Sequence, residues 1–80
     1  MIIKASELKE EQSGIINEIR DYKSDLECMG IQKGDIIKKI SKPEDNGVIV
    51  IKNTKNNNEI ILVSGVAENI FIKPIPLIRE

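Results

Sequence analysis

The 80-residue chain has no histidine, no tryptophan, a single cysteine (Cys28) and two aromatic residues, Tyr22 and Phe71. Without imidazole it lacks the commonest metal ligand and the usual general base near neutral pH. One thiol excludes an internal disulfide and a tetrahedral thiolate site, and fits a reducing compartment. A nucleophilic Cys28 would need a base or a cationic setting to lower its pKa. Its neighbours at i−3 and i−1 are instead Asp25 and Glu27. No catalytic residue, metal ligand or cofactor is expected. Carboxylate pairs such as Glu10 with Glu11 and Glu44 with Asp45 match no calcium loop and read as ordinary surface.

Long apolar runs are missing too. No stretch approaches the roughly 18 residues of a membrane span, and MIIKASELKE has no apolar core of a signal peptide. Twelve basic and thirteen acidic side chains nearly cancel, so no long-range field draws in a polyanion or a membrane surface. Lys38, Lys39, Lys52 and Lys55 have no aromatics set among them on which bases could stack, so no nucleic-acid partner is expected. A soluble, cytoplasmic, non-catalytic protein is the expectation, with no phosphate-cradling glycine motif to contradict it.

What is present is isoleucine. Its abundance predicts a compact aliphatic core on pleated, half-buried surfaces, in a single domain over residues 1–80 that buries only about 60% of its unfolded surface. A helical turn is expected from Ser6 to Glu10, capped by Ser6. Gln12 to Ile19 then reads as the first strand, weakened or bulged at Gly14. Tyr22, Leu26 and Met29 fall at i, i+4 and i+7 and make one stripe of a short helix from Asp21 to Met29, capped by Asp21.

Two glycines follow in LECMGIQKGD. Gly30 reads as the left-handed residue just past the helix, with Ile31 packing back on Leu26, and Gly34 as part of the turn that feeds the next strand. Strands are expected over Asp35 to Ser41, Gly47 to Asn53 and Glu59 to Val63. Asn46-Gly47 in KPEDNG is a hairpin signal between the first two of these. Ser64 caps one turn, and Ile70 to Lys73 forms a last strand, carrying Phe71 in the core and ended by Pro74 and Pro76. Five short strands in so small a chain are expected to close into a barrel, since an open sheet would leave edges unpaired.

The segments SGIINEI, LECMGIQKGDII and EIILVSGVAENIFI together resemble the FeoA family across nearly the whole chain. The most specific part is a Leu-x-x-Met-Gly-Leu/Ile-x-x-Gly pattern, carried here by Leu26, Met29, Gly30, Ile31 and Gly34, followed by a final Ala-x-x-Ile at Ala67 and Ile70. The resemblance implies a mainly β fold, a five-stranded SH3-like barrel with a short helix inserted between strands 1 and 2. It also implies an accessory role in ferrous iron uptake, through the cytoplasmic part of the FeoB membrane GTPase transporter. This chain departs from the family's basic character around the helix and before the last turn, with Asp25, Glu27, Ser64 and Gly65 there. The alternatives are a stand-alone regulatory domain related to the C-terminal domain of metal-dependent transcriptional repressors, or a small barrel that binds some other protein. No helix-turn-helix or metal-binding segment accompanies the first of these.

Within that frame the rim made by the helix end and the following turn is the expected partner-binding surface. Leu26 and Ile31 belong to the core, while Met29, Gln32 and Lys33 lie nearer the surface. Met29 can adapt its shape to a partner, with core packing as its alternative use.

Overall fold

The computed structural model describes residues 1–40 and 47–76. Most of the expected KPEDNG loop, including Asn46 and the Glu44 and Asp45 pair, and Ser41 at the end of the expected second strand, lie outside the described residues.

The chain runs through strand β1 (Ile3–Lys4), a 3₁₀ turn (Ala5–Glu7), β2 (Ser13–Ile19), helix α1 (Lys23–Cys28), β3 (Ile36–Lys39), β4 (Val48–Asn53), β5 (Asn58–Val63), α2 (Ser64–Ala67) and β6 (Ile70–Ile75). The strands form one sheet in the order β1-β6-β2-β3-β4-β5, antiparallel at every junction. β2 to β5 are thus a meander, and β6 returns to lie beside β2. Helix α1 sits between the first two strands of that meander.

Alternation explains the core. Ile49 and Ile51 on β4, Ile60 and Leu62 on β5, and Ile70 and Ile72 on β6 face inward two residues apart, joined by Leu26 of α1 and by Ile31 just after it. β1 and β5 are not hydrogen-bonded to each other, so the sheet is barrel-like rather than closed. α2 touches β4, β5 and the 3₁₀ turn, which in turn touches β6. Ala5, Leu8 and Ala67 are buried there.

Several local expectations are corrected. The structure adds a sixth strand, β1, whose two residues are too few to show a pattern in the sequence. The first helical turn spans Ala5–Glu7 and is not capped by Ser6; instead Lys4 N–H donates to Glu7 Oε1 at 2.8 Å. β2 is irregular between Ile16 and Glu18, not at Gly14. Gly14 is buried where β6 crosses closely, which leaves no room for a side chain.

Asp21 is not the cap of α1. Tyr22 occupies that position with φ 62°, and Asp21 Oδ1 accepts only the adjacent Tyr22 N–H at 2.9 Å. The expected stripe reduces to Leu26, because Tyr22 is 44% exposed and Met29 42%. β3 starts one residue late, since Asp35 is held by the preceding turn.

At the end of the chain β6 continues through Pro74, which pairs with Gly14, to Ile75. β1 reaches only Phe71 and Ile72, so beyond them β6 has one neighbour, a setting that tolerates proline. Phe71 is half-buried rather than in the core, and the Arg20 guanidinium lies over its ring at 4.5 Å from the centroid.

Candidate functional site, the rim after the first helix

Leu26 anchors α1, and the chain must then reverse at once to reach β3. Gly30 takes φ 91° and its N–H donates to Glu27 O at 3.0 Å, while Ile31 N–H donates to Leu26 O at 2.9 Å. This pair of bonds is the Schellman ending, and Ile31 is fully buried beside Leu26. Gly34, with φ 93°, is the third residue of a turn closed by Asp35 N–H donating to Gln32 O at 3.1 Å, the position where a type II turn requires positive φ. Gly34 N–H then donates to Ile16 O and Ile16 N–H to Asp35 O, both at 2.9 Å, which stitches the turn to β2.

A Cβ at Gly30 meets nothing closer than Asn56 Nδ2 at 4.0 Å, so the cost of a side chain there is backbone strain alone. Gly30→Val is expected to lose about 1–3 kcal/mol in urea melts. Stability equal to the parent would show that the left-handed conformation at position 30 carries no strain.

The rim has a buried support that the sequence reading does not identify. Asn53, at the end of β4, is fully buried. Its Nδ2 donates to Gly30 O at 2.8 Å and to Asp35 Oδ2 at 3.0 Å, and its Oδ1 accepts Lys55 N–H at 3.0 Å. Asp35 also accepts Gln32 N–H at 3.0 Å and pairs with Lys55 Nζ at 3.4 Å. Asn53 therefore ties the helix end and the turn to the β4–β5 hairpin. The parity of Ile49, Ile51 and Asn53 along one strand was the available sign that this asparagine faces inward.

On this frame Met29, Gln32 and Lys33 are all exposed. Met29 also lines a shallow groove with Asn58, Glu59, Ile60 and Ile61 of β5. The three residues share one connection, with Gln32 held through its backbone to Asp35 and Met29 leaning toward β5. The rim thus carries an exposed thioether, one amide and one cation on a backbone held by the hydrogen bonds above.

Some of the other charged sequence candidates are engaged elsewhere. Glu11 pairs with Lys38 at 3.1 Å, and Lys39 Nζ donates to Leu8 O at 2.8 Å. Cys28 is exposed as a free thiol. Among the described residues no three His, Cys, Asp or Glu side chains converge on a point, and no helix is long and apolar enough to cross a membrane. Calorimetric titration with divalent iron or manganese is expected to show no stoichiometric binding at micromolar affinity, because the described residues bring no three candidate ligands together. A one-to-one isotherm would give the carboxylates a ligand role.

Comparison with known proteins locates this architecture. A family model described as the FeoA domain matches residues 3–74. Among solved structures, an iron uptake regulatory protein (FeoA) superposes with TM-score 0.80 at 20% identity, covering 94% of this chain and 99% of that one. A FeoA-like protein from Clostridium acetobutylicum, solved by NMR, superposes with TM-score 0.83 at 16% identity over 99% of this chain and 93% of that one. A manganese-dependent transcriptional repressor gives TM-score 0.81 at 15% identity, with 92% of this chain on 41% of the repressor. At these identities the structures speak for the fold, which is the SH3-like one. No curated protein matches the chain significantly.

Proposed function

This chain belongs to the FeoA family, and from that premise we propose that it is a cytoplasmic accessory of ferrous iron uptake that binds the cytoplasmic part of a FeoB-type membrane GTPase transporter. The observation that carries the reading is the family match over residues 3–74, joined to a rim whose backbone is fixed by Gly30, Gly34 and Asn53 while Met29, Gln32 and Lys33 project from it. Ferrous iron is the transporter's cargo in this account and is not held by the chain. Rigid scaffolds commonly present binding residues on such connections.

The test is complementation. In a strain lacking the chain, ferrous iron uptake is expected to fall and to be restored by the parent. Met29→Asp, Gln32→Asp and Lys33→Asp are expected to restore it only partly, with Met29→Asp the weakest, after heteronuclear NMR shows each variant folded. Full restoration by all three would move the docking surface elsewhere, and normal uptake without the chain would overturn the role.

The likeness to part of a manganese-dependent repressor favours a second reading, a regulatory domain of that type. It predicts no change in iron uptake on deletion of the chain.

A further inference from the structure

β5 ends the sheet, and its register with β4 decides where its backbone groups point. Ile40 N–H donates to Val50 O at 2.7 Å, so the even-numbered residues of β4 address β3. Ser64 N–H donates to Gly47 O at 2.6 Å, so the odd-numbered ones address β5. Val50 pairs with Ile61, Lys52 with Glu59 and Val48 with Val63. The N–H groups of Glu59, Ile61 and Val63, and the carbonyls of Glu59 and Ile61, therefore point to the open edge. Among the described residues no side chain or loop backbone bonds to them.

Natural sheets blunt such edges with short strands, lysine, proline or bulges. The opposite edge of this sheet follows that pattern, since β1 has two residues and one of them is Lys4. β5 does not. It is six residues long, contains neither lysine nor proline, and pairs with β4 without a bulge. Its outward side chains Ile61 and Val63 are 68% and 55% exposed, beside half-buried Val48 and Val50 on β4.

We propose that β5 is a self-association edge, on which a second copy of this chain adds antiparallel to make a two-fold dimer with a continuous sheet. The strand is self-complementary in that arrangement. With the axis at Ile61, each Ile61 exchanges two backbone hydrogen bonds with its counterpart, and each Val63 N–H donates to the other copy's Glu59 carbonyl. Glu59 is the only charged residue of β5, and it falls opposite Val63. The two carboxylates then lie roughly 13 Å apart along the strands, beyond the Debye length of about 8–10 Å near physiological salt. The exposed Ile61 and Val63 of both copies merge into one apolar band across the junction. The far end of the added strand comes to the groove lined by Met29, Asn58 and Glu59. This inference does not rest on the transporter reading, because the edge and its register hold whatever docks on the rim, but a second copy and a rim partner would compete for the groove that Met29 lines.

A contact of one strand pair lies at the low end of interface sizes, so the dimer is expected to be weak and concentration-dependent. Sedimentation velocity of the full chain should show the mass rising from 9.0 kDa toward twice that as concentration increases from about 10 µM to about 1 mM. Over the same range amide exchange at Ile61 and Val63 should slow. Ile61→Lys, at an exposed position, should leave the fold intact by NMR and weaken association at least about tenfold by setting two cations face to face. A monomer at every concentration would overturn the proposal. So would a dimer in which those two amides stay unprotected, which would mean contact through another face. Protection that appears only when the transporter's soluble domains are added would assign the edge to that partner and overturn the dimer as well.

Discussion

Asn53→Leu is expected to lower unfolding stability by about 3 kcal/mol in urea melts, although leucine has the same number and branching of side-chain heavy atoms as asparagine. The substitution removes two donors and one acceptor at a fully buried position, leaving Gly30 O, Asp35 Oδ2 and Lys55 N–H without those partners. Each buried polar group left unsatisfied costs about 1–3 kcal/mol, and a carboxylate costs more. Asp35 and Lys55 regain part of this by hydration at their exposed sides, which holds the total near the middle of the range. A chain of 80 residues has roughly 4–12 kcal/mol of stability in all, so the loss is a large share of it. The damage should be local as well as global, with NMR shifts concentrated in residues 29–35 and 53–55. A variant within about 0.5 kcal/mol of the parent would show that the network contributes little beyond packing.

Gly14→Val is expected to cost about 2–4 kcal/mol, more than Gly30→Val, for a different reason. At Gly14 the backbone is ordinary extended strand and the obstacle is space. A Cβ there would fall inside the van der Waals envelope of Ile72 Cγ2 and lie 3.2 Å from Lys73 O and 3.4 Å from Pro74 Cα. Ile72 is fully buried and branched at Cβ, so its methyl cannot swing aside, and the strand behind it is fixed by pairing with β2. Overpacking of this kind typically costs 1–3 kcal/mol for small increments, and valine adds two methyls beyond the first clash. Gly14→Ala should fall between the parent and Gly14→Val. Equal melting of all three would mean that β6 can move away from β2 without loss.

The same two positions show what the sequence made legible. The reversal in LECMGIQKGD could be read because helix, left-handed glycine and turn are local, and each step leaves a residue-type mark. The meander of β2 to β5 was legible from aliphatic runs separated by turn residues. Asn53 was hidden because it adjoins the asparagine-rich turn, where the same residue type serves left-handed backbone. Only its parity with Ile49 and Ile51 set it apart. Gly14 looked like a weak point of a strand, whereas the reason for it lies 58 residues away in Ile72, in a crossing that no local pattern encodes. β1 is defined solely by pairing with β6, and Tyr22 in a left-handed conformation, not Asp21, occupies the cap of α1. The rim itself was placed by reasoning about connections. Its support from β4 came only with the fold.

The central claim is that the rim after α1 is a docking surface held in shape from beneath, and direct binding tests it most simply. Calorimetry of the chain with the soluble cytoplasmic domains of a FeoB-type transporter should give a saturable isotherm. Met29→Asp, with its fold confirmed by NMR, should weaken binding about tenfold or more, equivalent to about 1.4 kcal/mol. Asn53→Leu should weaken it as well, at a temperature where the variant is still folded, although Asn53 is fully buried. Binding by both variants with the parent's affinity, or no binding by the parent at all, would contradict the account.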